Sequence, residues 1–298
     1  MTSRPPRIGL FGCTVPAGRL ARGVLCVALV SGLAACSFLG GGGSGLTPGG
    51  GSSASTLTPS PSPAPVADPV KLAGTARTAG TPAHSGKVTL TVAAFTPPVT
   101  VTAQGDGSAA VSLGVVAVPA STTGTPSREV AAVFAAPAGL QFEARSDGSA
   151  AVLGGSGAVV GALTRAGVVG GAGVRRDAEL AVRKGDPGLA DLLVDAGPAG
   201  TATLVFGADP LVREHWTTQE GGRSLAVVPA PWVRTGGLAA QDALWSALVA
   251  AEPAADLATM HDQMLCHALG APDKASWNLE PWRPKVDSLT MLAAGCNP

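Results

Sequence analysis

Five residues near the end of the chain carry groups from which catalysis or metal binding could be built: His261, Asp262, Cys266, His267 and Glu280. On a helix, positions six apart stand about 120° from each other around the axis. His261 and His267 therefore face different ways, whereas paired helical metal ligands recur at i and i+4. No metal is expected here. His261 shares a stripe with Leu257 and Leu265 and reads as a buried, hydrogen-bonded histidine. A nucleophile at Cys266 would need a histidine supplied by the fold. His267 is misplaced for that role, since adjacent helical residues point about 100° apart. Cys296 is a simpler partner for Cys266. Serine chemistry lacks its signatures: there is no G-x-S-x-G elbow, and no serine has a lysine three residues on. No Walker motif or EF-hand loop is present, and Gly105-Asp106-Gly107 reads as a hairpin turn rather than part of a dinucleotide loop. No cofactor is expected, and no catalytic residue can be named.

Trp277, Glu280, Trp282 and Arg283 allow two readings. An aromatic pair around a carboxylate and a guanidinium has the composition of a sugar or peptide platform. Alternatively, both tryptophans wedge into a small core while Glu280 and Arg283 pair locally at i and i+3.

At the other end, Arg4, Arg7, Arg19 and Arg22 precede an apolar run from Gly23 to Ala35. The run is too short to remain as a spanning helix and has the layout of a secretory signal. Its close, Leu33-Ala34-Ala35-Cys36, resembles the lipobox of bacterial lipoproteins, in which the cysteine becomes an acylated mature N-terminus. The resemblance implies lipidation at Cys36, a membrane partner through that lipid, and a place on the outer face of the cytoplasmic membrane. Removing residues 1–35 leaves sixteen basic against twenty acidic residues, a net charge of −4. Such a balance has no electrostatic footprint for nucleic acid. Cys13 and Cys26 leave with the signal, and Cys36 is taken by the lipid. Cys266 and Cys296 remain, and an even pair in an oxidising compartment forms a disulfide by default. Closing about thirty residues restricts the unfolded chain by roughly 3–4 kcal/mol on the chain-entropy model.

Residues 36–84 read as a disordered tether of Gly, Ser and Pro, too poor in bulky apolar residues to form a core. From 85 to 207 the pattern is β. Val88, Leu90 and Val92 alternate with Thr89 and Thr91, as Val99 and Val101 do with Thr100 and Thr102. Asp106-Gly107-Ser108-Ala109-Ala110-Val111 recurs identically at Asp147 to Val152, so two hairpins of similar construction are expected. Shorter strands follow at Ala158–Leu163, Glu179–Arg183 and Thr201–Phe206. The Arg175-Arg176 doublet reads as a solvated loop. In residues 208–298 a hairpin over Val212–Val228 precedes helices over Leu238–Ala251, Asp256–Leu269 and Lys285–Ala294.

Within that last segment, Gly222-Arg223-Ser224-Leu225, Pro231-Trp232-Val233-Arg234, the stretch His261 to His267, the block Trp277 to Pro284 and Cys296-Asn297-Pro298 resemble the domain of unknown function 2599. That family occurs as the C-terminal part of secreted actinobacterial proteins. The resemblance covers roughly residues 212–298, fits the compartment, and implies no activity.

The fold class expected is α+β: a β-hairpin-rich domain followed by a small disulfide-tied domain with a hairpin and two to three helices. The function expected is a non-enzymatic binding or structural role in the envelope, with a cell-wall polymer or another envelope protein as partner. A wall-directed hydrolase using carboxylate and histidine groups of the C-terminal domain is the alternative.

Overall fold

The computed structural model describes residues 68–122, 127–219 and 221–298. The signal segment, Cys36 and the tether up to residue 67 lie outside the described residues. The last part of the tether reading is corrected. Asp68 accepts the N–H groups of Val70 (2.9 Å) and Lys71 (3.2 Å), and Pro69 occupies the first turn of helix α1 (Pro69–Ala79). A capping aspartate followed by proline is a helix start, and Leu72, Ala73 and Ala76 give this helix an apolar side to bury.

Thirteen strands follow: β1 (Thr81–Ser85), β2 (Val88–Ala94), β3 (Thr96–Ala103), β4 (Ala109–Val115), β5 (Arg128–Ala135), β6 (Gln141–Ala144), β7 (Ala150–Leu153), β8 (Val159–Leu163), β9 (Gly167–Gly170), β10 (Arg175–Arg176), β11 (Ala178–Val182), β12 (Leu189–Asp195) and β13 (Gly200–Gly207). They form two antiparallel sheets. One has the order β1-β2-β5-β12-β11. The other runs β10-β9-β13-β8-β7-β6, with β4 on the opposite edge of β13 and β3 beside β4. Alternation along the strands sends Leu90, Phe134 and Leu192 of the first sheet, and Leu113, Leu163 and Phe206 of the second, into one core between them. Strand β5 departs from alternation, with Ala131 to Ala135 buried throughout. Its second face lies under α1, where Ala73 and Ala76 meet Val133, Ala135 and Leu189.

The repeated hexapeptide makes the expected turns. Gly107 and Gly148 sit at φ +80° and +84°, where a side chain would strain the backbone. In each turn the aspartate accepts from the serine two residues on, through its N–H (3.1 Å) and its hydroxyl (2.6 Å). The Arg175-Arg176 reading needs correction. Arg176 lies on β10 and is buried, its guanidinium donating to the carbonyls of Asp195, Val116 and Pro198. Burial holds its pKa below the ordinary arginine value. A strand only two residues long left too little pattern to show this.

The remaining elements are β14 (Leu211–Gln219), β15 (Gly222–Pro229), α2 (Pro231–Thr235), α3 (Leu238–Ala251), α4 (Ala258–Gly270), β16 (Trp277–Leu279) and α5 (Ser288–Ala293). The three strands pair in the order β14-β15-β16. Helix α3 presents Ala239, Ala240 and Ala243, small enough for close approach, to Ala151 and Ala162 on the outer face of β7 and β8. The same apolar cluster continues through Leu225, Trp232, Met264 and Trp277. Residues before 207 and after 208 thus meet across a shared core, and the architecture is α+β.

The second of the twin turns also serves this junction. Helix α3 begins at Gly237 with no capping side chain of its own. Asp147 accepts from the N–H of Leu238 (2.8 Å), and Ser149 from that of Ala239 (3.1 Å). Burial works to raise the Asp147 pKa, but the bonds from Ser149 and Leu238 outweigh it and hold the carboxyl low. The turn at Asp106 has no such helix. Gly107 instead accepts at its carbonyl from the Ser85 hydroxyl, 2.8 Å away.

Candidate functional site

Cys266 on α4 is bonded to Cys296, with Cα atoms 5.5 Å apart. Met291 and Val286 pack on the pair. The bond closes thirty residues of sequence separation and ties the end of α4 to the last turn of chain. It removes Cys266 from nucleophilic chemistry.

The buried role expected of His261 falls to His267 instead. His267 is the buried one, 1% exposed, and its Nε2–H lies 3.2 Å from the carbonyl oxygen of Asn278. Its ring is nearly parallel to that of Trp277, centroids 6.3 Å apart. Burial keeps the imidazole below its usual pKa of 6.5. Lys274 adds to that effect, while the Asn278 bond and Glu280 oppose it. His261 is half-buried against Trp245, centroids 4.5 Å apart. The reason lies in the side α4 turns inward. Met260, Gln263, Met264 and His267 follow the i, i+3, i+4, i+7 rule, and Leu257 is 42% exposed. The polar Gln263 sits in this stripe, which alternation of apolar residues alone does not mark. Among the described residues no group of histidine, cysteine and carboxylate side chains could hold a metal ion.

The four residues considered as a platform do not form one. Trp277, on the short strand β16, is fully buried and donates from Nε1 to the carbonyl of Ala271 (3.2 Å). Arg234 lies 5.7 Å over its ring and donates to the carbonyls of Pro272 (2.5 Å) and Lys274 (2.6 Å). Glu280 is 3% exposed, its carboxylate paired with Arg283. Its backbone is bound reciprocally by Gln263, which accepts from the Glu280 N–H (2.9 Å) and donates to the Glu280 carbonyl (3.0 Å). Arg283 also donates to the carbonyls of Asn297 (3.1 Å) and Pro298 (3.0 Å). Only Trp282 is well exposed, at 42%. Its indole rests on Gly222, where a Cβ would come within 2.1 Å of the ring. Trp277 turns inward because the strand pairing of Val227 with Trp277 places it over the core. A three-residue strand was invisible in the sequence pattern, as were the bonds made by Arg234 and Gln263.

One groove in this segment, of about 360 Å³, lies open between α4 and α5, walled by Leu265, Leu269, Met291 and Leu292, with Asp262 and Asp287 among its polar lining. Asp287 is already in use. It caps α5 by accepting from the N–H groups of Leu289 (3.0 Å) and Thr290 (3.1 Å), and it accepts from the Thr290 hydroxyl (2.7 Å). Those bonds hold its pKa below the ordinary carboxylate range. A general acid needs the opposite shift.

No solved structure matches the chain. Residues 211–298 match the family model described as protein of unknown function (DUF2599). Three relatives extend the match. The uncharacterized proteins Rv0477 of Mycobacterium tuberculosis and Mb0487 of Mycobacterium bovis are each 44% identical over 101 residues, which cover 30% of this chain and 68% of theirs. The uncharacterized protein ML2452 of Mycobacterium leprae is 42% identical over 81 residues, 26% of this chain and 60% of its own length. The disulfide, the Glu280–Arg283 pair and the Trp277 packing all fall inside the matched residues, and on that match the chain belongs to the DUF2599 family.

Proposed function

We propose that the protein is a lipid-anchored component of the extracytoplasmic envelope, attached through Cys36, with a binding or structural role rather than a catalytic one. One observation carries the non-catalytic part. In the family segment three of the five groups suited to acid, base or nucleophilic work are held by another: Cys266 by Cys296, Glu280 by Arg283, and His267, through Nε2, by the Asn278 carbonyl. Such groups fasten loops rather than meet a substrate. The anchor rests on the sequence Leu33-Ala34-Ala35-Cys36 after an apolar run flanked by arginine. In this reading the family segment and the sandwich face the wall, and the partner is a wall polymer or another envelope protein. Membrane fractionation and lipid labelling of Cys36→Ala test the anchor. The variant should leave the membrane fraction or remain uncleaved. Unchanged labelling and fractionation would refute lipidation at this residue.

A further inference from the structure

The outer face of the second sheet is divided. Helix α3 covers β7 and β8, while β3, β4, β13, β9 and β10 turn their outward positions to solvent. Registration across these strands sets Thr100, Ser112, Thr203 and Gly167 in one row. Thr96, Gly114, Thr201, Val169 and Arg175 form the row beside it. Thr102, Ala110 and Val205 form a third. Neighbouring strands lie about 4.8 Å apart, and alternate residues along a strand roughly 6.8 Å. Thr100, Ser112 and Thr203 therefore stand at regular spacing across the face, the Thr203 hydroxyl also donating to the Gly167 carbonyl at 3.4 Å, while a register shift after Thr96 sets that residue apart.

None of these outward positions carries a carboxylate, and Arg175 supplies a positive charge. The first sheet differs: Arg128 pairs with Glu179 and Asp195 across it, and Arg183 pairs with Asp191. An acid-free face is notable on a chain whose residues after 35 carry a net charge of −4. The third row runs into a cleft of about 300 Å³, where Thr203 and Val205 meet Trp232 and Thr235 of α2 and the exposed Arg165 stands at the lip. Trp232 is fixed there by its Nε1–H, which reaches the Asp209 carbonyl at 3.3 Å. Clefts of this size between two packed parts of a fold, apolar with a few convergent polar groups, are typical of small-ligand sites.

We infer that this face and its cleft bind an extended polysaccharide that carries anionic groups. The hydroxyls match a chain of ring hydroxyls, the cleft takes one sugar ring against Thr203, Val205 and Thr235 with the buried Trp232 forming its floor, and Arg165 and Arg175 meet its negative charge. The inference rests on the envelope reading above and specifies its partner. Neither groove nor residue of the family segment described in the preceding section takes part, apart from α2.

The test is sedimentation of the protein with insoluble peptidoglycan, a glycan bearing carboxylates, and in parallel with microcrystalline cellulose, which bears none. The expected result is binding to peptidoglycan that weakens as salt rises, with little retention on cellulose. Thr100→Glu, Thr203→Glu and Arg165→Glu, each at an exposed position and each checked for an unchanged melting temperature, should weaken binding about tenfold through like-charge repulsion. Equal retention on cellulose would overturn the anionic specificity. Peptidoglycan binding unaffected by all three variants would overturn this site while leaving an envelope role intact. No binding to either polymer overturns the inference, and the Cys36→Ala fractionation judges the anchor separately.

Discussion

In residues 68–207 two antiparallel sheets and a helix satisfy the backbone by regular pairing, and the apolar core arises from alternation along the strands. Residues 211–298 have one small sheet and four helices joined by irregular turns, so many loop carbonyls have no strand to pair with. Side chains answer them instead: Arg234 on Pro272 and Lys274, His267 on Asn278, Gln263 on Glu280, and Arg283 on Asn297 and Pro298. Buried backbone groups must be paired by something. Where regular structure is scarce, polar and charged side chains take that work, and the result resembles an active site in sequence. For that reason Cys266, His267 and Glu280, three of the residues most suggestive of chemistry, are among the most enclosed.

The largest expected effect separates two tryptophans of the same block. Trp277→Ala empties a buried site and should cost about 3–5 kcal/mol in urea unfolding. Trp282→Ala, at a half-exposed ring, should cost about 1 kcal/mol or less. A loss of about 1 kcal/mol or less for both would restore the idea of a shared exposed platform, and losses of about 3–5 kcal/mol for both would place Trp282 in the core as well.

Next comes the disulfide. Replacing Cys266 and Cys296 together by alanine should destabilise the family segment by roughly 3–4 kcal/mol. All five tryptophans lie between residues 216 and 282, so quenching of their fluorescence reports this segment. Hydrogen exchange in β2, β5 and β12 should change much less, since no cysteine lies among them. Equal loss of protection in both regions would erase the contrast and make the two a single cooperative unit.

The sequence disclosed these regions unequally, for a physical reason. Hairpin strands such as Val88–Ala94 and the helix Leu238–Ala251 were legible because several residues repeat one period. The twin Asp-Gly-Ser turns were legible because positive φ demands glycine. The inward side of α4 was not, because Gln263 lies in the buried stripe and takes its sense from the Glu280 backbone, seventeen residues away. Arg176, Arg234 and β16 were hidden likewise: each is defined by distant carbonyls or a strand partner, not by its neighbours in the chain. Helix α1 had local signals in Asp68 and Pro69, masked by the low-complexity sequence before them.

A smaller effect should distinguish the identical turns. Asp106→Ala and Asp147→Ala remove the same bonds within the turn, but only the second uncaps α3. Asp147→Ala should therefore be worse by about 1 kcal/mol, measured as the difference between two melting curves. Equal losses would mean that the cap from the sandwich contributes nothing to the family segment.

The most direct measurement is an NMR titration of the His267 ring in the folded protein. Its folded pKa lies below the ordinary 6.5, so the unfolded chain binds the proton more readily. The associated stability is present above pH 6.5 and lost as pH falls through and below it, by at most about 1.4 kcal/mol per pH unit. The ring is expected to stay neutral, with a midpoint below 6.5 and a melting temperature that falls with acidification less steeply in His267→Gln. A midpoint at or above 6.5, with the ring open to solvent, would contradict this and return His267 to the candidates for acid–base chemistry.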